Sequence, residues 1–436
     1  MTAVMTWKQL LNGHRRKPGG AEAQPPSYEG ERTEFERDHD RVLFSTPFRR
    51  LNDKTQVFPL EKKHDTIRRR LTHSIEVGNL ARSLGVNLAF NRPEIFDGVT
   101  CPQRNIPAIL AAVGLAHDLG NPPFGHQGEN AIRDWFHLRN DPSKPDKYVF
   151  QGLQDRPDLI QDFLNFEGNA QTLRLVTKLQ LLNDNYGLNL TFGALSALMK
   201  YVVPAHRMAA TNSPEAKKFP ATKKCGYFQS EAAVVKDIQA HTGTGERRNP
   251  LTNIMEACDD IAYTVLDAED AAKKGLVSFA DLIARLRDVC GDDPIVKNVL
   301  EKSMKRHTEY RKEKISPTEL DDISMQMFRV FAIEGMVKAV TTAFIDKQES
   351  ICAGTFEGDL MGTSGAAPFS RTLKEFDKDF AYQNREVLGI ELQGYNVIGG
   401  LMTMLWDAIT ERKGTRNDRG TPFANYAFGR ISENYR

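Results

Sequence analysis

The chain has 436 residues, of which 40% are hydrophobic and 26% charged, the make-up of an ordinary globular protein long enough for one large domain or roughly two to three average ones. A formal net charge of +1 gives no overall basic field for nucleic acid, and no apolar run approaches the roughly 18 residues a membrane span needs. The start, MTAVMTWKQLLNGHRRK, lacks the apolar core of a secretory signal, and the five cysteines (Cys101, Cys225, Cys258, Cys290 and Cys352) form no CxxC pair, so reduced thiols in a cytoplasmic protein are expected.

In chain order, residues 1–41 read as an N-terminal arm, because 14–40 are polar and rich in Pro and Gly. Residues 42–436 read as a single, mostly α domain with appended helical segments and few short strands. LTHSIEVGNLARSLGVNL places Leu71, Ile75, Val77, Leu80 and Leu84 at roughly helical spacing. NIPAILAAVGLAHDLG is an apolar helix that tolerates Pro107 near its start. Residues 138–165 are irregular. Helices are expected over about 169–183 and 191–203, the second ending before Pro204. NPLTNIMEACDDIAYTVLDAEDAAKKG is a long helix with Pro250 in its first turn and Gly275 as its stop. ELDDISMQMFRVFAIEGMVKAVTTAFI, residues 319–345, is a buried amphipathic helix that suits either the core or a subunit interface. Residues 350–385 read as irregular, and the tail after Lys413 is polar and Gly-rich as far as ANYAFGRISENYR.

Four residues stand out for chemistry. His117 and Asp118 close the apolar helix IPAILAAVGLA. A carboxylate is disfavoured at a helix C-terminus by the dipole, so a positive partner is expected beside it. A metal ion is such a partner, and it would also engage the imidazole. His73 lies among apolar positions with Arg70 one turn before it, a cation that makes sense if an anion also binds. Asp259, Tyr263 and Asp267 form an i, i+4, i+8 polar stripe on an otherwise apolar helix, whereas Glu269 and Asp270 are expected on its solvated face. Each feature alone also fits ordinary structure: a capping histidine, a core histidine, a surface acidic stripe. Together, His73, His117, Asp118 and Asp259 make a donor set suited to a divalent ion, Mn²⁺, Mg²⁺, Fe²⁺ or Zn²⁺, with positions left for water and a phosphate oxygen. His126 and Glu129, at i and i+3 after Gly125, can pair so that the carboxylate orients the imidazole for acid or base work.

The order H…HD…D resembles the HD superfamily of metal-dependent phosphohydrolases. The resemblance is closer to its deoxynucleoside triphosphate triphosphohydrolases, the bacterial dGTPase-like family. FRRLNDKTQVFPLE, RLTHSIEV, HDLGNPPFGHQGE, FEGNAQ, EACDDIAY and ELQGY carry it in that order, from about residue 48 to 395. It implies an HD-type helical fold with a core over about 66–275, and hydrolysis of a dNTP to deoxynucleoside and tripolyphosphate by attack at the α-phosphorus. By the same resemblance His73, His117, Asp118 and Asp259 hold the metal, and His126 and Glu129 act beside the α-phosphate. Arg70, Lys200, and Lys223 or Lys224 serve the polyphosphate, and Asn169 is an active-site polar residue. Tyr263 packs against C2′ of the sugar, Gln56 and Asp267 bond the 3′-OH, and Val57 and Glu391 lie near the base. Family members assemble as homo-oligomers, often hexamers. The chain differs from the longer members in stopping at GRISENYR and in the region 138–165. Two other readings are an HD phosphohydrolase of another nucleotide, and a nucleotide-sensing or nucleic-acid-binding oligomer using HRRK at 14–17 and ERKGTRNDR at 411–419.

Overall fold

The computed structural model describes residues 4–17, 32–58, 66–144, 147–179, 186–210, 212–412 and 420–432. Helix dominates, and the one sheet among these residues is a parallel pair, β1 (Val203–Pro204) beside β2 (Cys225–Tyr227). Eight helices carry the argument: α1 (Glu34–Leu43), α2 (Arg70–Asn91), α3 (Pro102–Ala116), α4 (Gly125–His137), α5 (Gly168–Thr177), α6 (Pro250–Lys273), α7 (Pro317–Ala353) and α8 (Arg385–Arg412).

The centre is the crossing of α2 and α3. Gly78 and Gly114 face each other there, and a Cβ on Gly114 would stand 2.5 Å from the Gly78 Cα. A side chain at Gly114 would push the helices apart, while one at Gly78 would be pressed against the Ala111 carbonyl at 3.3 Å. Val77, Ala81, Leu84 and Leu88 of α2 bury against Ile106, Ile109, Leu110 and Val113 of α3, each such side chain contributing about 1.5–3 kcal/mol of apolar transfer. Pro107 sits inside α3 near its start, as expected. α6 packs behind this pair and in turn meets α7. It begins where the sequence places it: the Asn249 side chain caps it, Pro250 occupies the first position, and Gly275 follows with φ +69°.

Several expectations are corrected. The polar arm contributes to the core: Trp7, Leu10 and Phe35 are buried, Thr33 and Glu36 form a capping box, and α1 carries the chain from Glu34 to Leu43. Arg15 of the HRRK run is turned inward, with its guanidinium on Glu34, Asp38 and the Asn189 carbonyl, so it is spent inside the chain instead of facing a phosphate backbone. Residues 18–31 and 413–419, the rest of the arm and most of the second basic cluster, lie outside the described residues. α5 ends at Thr177, and the helix expected over 191–203 is Phe192–Leu198, giving way to β1. The irregular region 138–165 contains the helix Pro157–Leu164. The stretch 350–385 holds the helix Ala367–Phe376 and a π-helix over Asp377–Tyr382. Phe369, Leu373 and Phe376, at i, i+4 and i+7, are buried there, a helical stripe masked in the sequence by the glycines before it. α7 runs ten turns, with Met325, Phe328, Ala332, Met336, Val340 and Phe344 facing the core. Among the described residues no helix is long and apolar enough to cross a membrane, and all five cysteines are free.

Glu269 and Asp270 are not solvated. They are 0% and 2% exposed and bind Arg68, whose guanidinium nitrogens lie 2.8 Å from Glu269 and 2.6 Å from Asp270. Glu269 also takes Arg329 of α7 at 2.9 Å and Lys273 at 3.1 Å. This buried network joins the chain entering α2 to both α6 and α7.

Candidate active site

A cavity of about 570 Å³ opens where α2, α3, α4 and α6 meet under the first turns of α8. Every sequence-predicted site residue except Asp267 lines it: Gln56, Val57, Arg70, His73, His117, Asp118, His126, Glu129, Asn169, Lys200, Lys223, Lys224, Asp259, Tyr263 and Glu391. Residues 59–65, which include the end of FRRLNDKTQVFPLE, lie outside the described residues.

At its floor, His73, His117 and Asp118 bring one ligand atom each within 4.8 Å of one another. His117 Nδ1 donates to the Gly114 carbonyl at 2.6 Å, which fixes the tautomer and leaves the Nε2 lone pair free. Nε2 is buried and has no hydrogen-bond partner among the described residues. It points to Asp118 at 3.6 Å and Asp259 at 3.5 Å. His73 Nε2 lies 3.1 Å from Asp259 Oδ1. Asp259, left out of the tight trio, therefore closes the set from α6. The cation expected beside Asp118 is Arg70, with Nη1 2.6 Å from Oδ2, while Asn121 Nδ2 donates to Oδ1 at 2.5 Å.

The electrostatics of this floor favour positive charge. Burial works against a charged His117, but Asp118 and Asp259 outweigh it and carry the imidazole up to about 9. Burial would raise Asp118, but Arg70, His117 and His73 draw it down to about 2. Asp259 is likewise held well below the usual range, against its burial, first by His117. Two carboxylates thus stay ionised in a buried pocket and favour positive charge at the imidazole nitrogen they face, whether a proton or a metal ion brings it. An orphaned imidazole nitrogen facing two ionised carboxylates is a donor set that fits a divalent cation.

The turn between α3 and α4 follows from its breakers. Phe124 has φ +63° and Gly125 φ +51°. A Cβ at Gly125 would stand 2.6 Å from Arg70 Nη2, so a side chain there would displace the guanidinium from its place at Asp118. The Phe124 ring fills a notch in α8 at Gly394, where a Cβ would lie 2.3 Å from its Cγ. α4 then starts with His126 and Glu129. Glu129 is 2% exposed and its Oε1 accepts from the Gly168 amide at 2.8 Å, while Oε2 meets His126 Nδ1 at 3.2 Å. Burial would raise this carboxyl, but His126, Lys224 and the Gly168 amide hold it below its ordinary range.

Cations ring the opposite wall. Lys200 Nζ sits 3.6 Å from Glu256 and 3.9 Å from Asp259, and these carboxylates raise it despite burial. Glu256 also binds Arg248 at 2.5 Å. Lys224 pairs with Glu167 at 3.0 Å, and Asn169 Nδ2 donates to Glu167 at 2.8 Å. Lys223 is lowered by burial and makes no ion pair among the described residues.

Asp267 lies behind the cavity wall. Its Oδ2 accepts from the Tyr382 hydroxyl at 2.7 Å, and the Tyr382 ring stands 5.9 Å from that of Tyr263. Sequence reasoning missed Tyr382 because it ends the stretch read as irregular; only the Phe369/Leu373/Phe376 spacing gave a signal. It also missed Lys54, whose Nζ reaches the Asn121 carbonyl at 2.6 Å. Burial next to Arg70 brings Lys54 down to about 8. A lysine that works through backbone carbonyls leaves no pattern in a sequence.

Comparison with known proteins agrees with this geometry. Residues 70–153 match the family model for the HD domain. Over 99% of its length the chain is 34% identical to a deoxyguanosinetriphosphate triphosphohydrolase-like protein of Listeria innocua, spanning 90% of that protein. A probable deoxyguanosinetriphosphate triphosphohydrolase of Pseudomonas aeruginosa is 35% identical over 85% of the chain and 75% of its own length. A deoxyguanosinetriphosphate triphosphohydrolase of an Enterobacter species is 34% identical, covering 92% of the chain and 81% of the relative. The HD signature, the buried His-His-Asp floor and near full-length similarity together place the chain: it belongs to the deoxyguanosinetriphosphate triphosphohydrolase-like family of HD-domain phosphohydrolases.

Proposed function

We propose that the protein hydrolyses deoxynucleoside triphosphates to deoxynucleoside and tripolyphosphate. The observation that carries this reading is one cavity joining a cation-seeking His73/His117/Asp118/Asp259 floor to a ring of cations and a tyrosine pair. A divalent ion held by those four residues would neutralise charge on the α-phosphate; Mn²⁺, Mg²⁺ and Fe²⁺ all suit the donors. Arg70, Lys200, Lys223 and Lys224 offset the remaining charge of the triphosphate, with Asn169 keeping Glu167 turned toward Lys224. Water oxygen bonds to the α-phosphorus and releases a proton to solvent, the bond from phosphorus to O5′ breaks with its electron pair staying on O5′, and O5′ gains a proton. His126 delivers that proton, with Glu129 stabilising the imidazolium, and being solvent-exposed it recovers one from water. Tyr263 and Tyr382 crowd the sugar where a ribose hydroxyl would sit. Asp267 acts on the 3′-OH through Tyr382, Gln56 approaches from the other side, and Val57 and Glu391 face the base. Homo-oligomers would form on the exposed apolar residues of α8, Leu388, Leu392, Val397 and Leu401.

The test is product analysis with each dNTP and Mn²⁺ in ¹⁸O-water. Labelled tripolyphosphate is expected, with unlabelled deoxynucleoside and little turnover of ribonucleotides. Release of pyrophosphate or orthophosphate, or label in the nucleoside, overturns the reading.

A further inference from the structure

A second cavity, of about 620 Å³, lies against the first. Glu167, Lys223 and Lys224 line both. The second chamber adds Arg133 and His137 from the far end of α4, Lys217 from the helix Pro214–Lys218, and Asp359. Four basic side chains, Arg133, Lys217, Lys223 and Lys224, therefore face two carboxylates, and one of those, Glu167, is already paired with Lys224 at 3.0 Å. Arg133 is fixed in place: its Nη2 donates to Asn130 at 2.6 Å and its Nη1 to the Phe166 carbonyl at 3.2 Å. Lys217 and Lys223 make no ion pair among the described residues. A concavity of this size is in the range that holds small ligands, and such an excess of fixed cations selects a multiply charged anion.

We propose that this chamber is a binding site for inorganic tripolyphosphate, the compartment the leaving polyphosphate enters from the active site past Lys223 and Lys224. The inference rests on the tripolyphosphate reading above. Its physical logic is that a product carrying several negative charges has to be drawn off the cations that bound it as part of the substrate. A second set of cations sharing two lysines with the first gives it somewhere to go without full rehydration. The deoxynucleoside, which carries no charge, gains nothing from the chamber and leaves by the cavity mouth.

The test uses the full-length protein with its divalent ion, and titrates tripolyphosphate already saturated with the same ion and, separately, a dNTP analogue that resists hydrolysis at the α-phosphorus, by calorimetry. Lys217 lines the second chamber alone, whereas its neighbour Lys218 pairs with Glu357 at 2.8 Å and lines neither cavity. Lys217→Glu is expected to raise the tripolyphosphate Kd about fivefold or more, as reversal of a charge near a desolvated anion should, and to raise the dNTP Kd less than twofold. Lys218→Glu is expected to leave both within twofold. Equal weakening by the two variants would reduce the effect to bulk charge and overturn the proposal. So would no weakening by Lys217→Glu, or a dNTP shift as large as that of tripolyphosphate. Failure of the tripolyphosphate reading appears elsewhere, in the product analysis, and leaves these binding constants as they are.

Discussion

His126 and Asp259 line the same cavity from different helices, yet their substitutions should separate. Among the described residues His126 bonds Glu129, and its side chain is 84% exposed. His126→Ala should keep the metal while turnover falls about 10²–10⁴-fold, the usual loss of a general acid. Asp259→Ala removes the carboxylate facing both imidazoles and should lose metal and activity together; metal content and rate measured on one preparation decide it. Full metal occupancy in Asp259→Ala would remove Asp259 from the ligand set. Asp267 gives a pH signature. Its burial, with Asp270 and Asp259 adding to it, pushes the carboxyl up to about 8. An acid raised on folding keeps its proton in the folded chain where the unfolded chain has lost it, so its contribution to stability falls as pH rises from about 4 through about 8. Asp267→Asn should therefore gain in Tm relative to wild type across that window and hold the gain above it. A Tm difference that does not change with pH would contradict the shift. At this scale the sequence was most readable where residues act through their own functional groups: His73, His117, Asp118, Asp259, His126 and Glu129 all reach the one cavity. It was silent on Lys54, which braces the Asn121 carbonyl, and on Tyr382, which bonds Asp267.

Helices were legible where an apolar stripe and its caps agreed, as in α2, α3 and α6. They were misread where a polar surface label hid a buried partner. Glu269 and Asp270 look like solvent residues because carboxylates usually are; only the fold supplies Arg68, Arg329 and Lys273. Glu269 is the node that ties α6 to α7 and to the chain entering α2. Removing it leaves three cations short of a buried anion, and Glu269→Ala should cost about 3–5 kcal/mol, read as a lowered denaturant midpoint. A loss below about 1 kcal/mol would mean the network is solvated after all. Helix ends were the weakest part of the reading, since the stop of α5 at Thr177 and the start of β1 depend on tertiary pairing between segments distant in the chain.

For the molecule as a whole, the metal floor draws on α2, the end of α3, and α6. A cation there is bound by the folded chain alone, so stripping it with a chelator should lower Tm, and adding Mn²⁺ should restore it with a concentration dependence. Saturation at about 100 times Kd corresponds to about 2.7 kcal/mol. An unchanged Tm would argue against a resident ion at this floor. The contact between Phe124 and Gly394 carries a wider consequence. α8 offers Val387, Ile390 and Glu391 to the region assigned to the base, and three residues beyond Glu391 it grips the ring that immediately precedes Gly125 and His126. A base that tilts α8 by a fraction of an ångström would move the Phe124 ring and, through it, the start of the helix that carries His126 and Glu129. Selectivity among bases would then be written into turnover number as much as into affinity, and bulk at position 394 would blur that discrimination before it abolished catalysis.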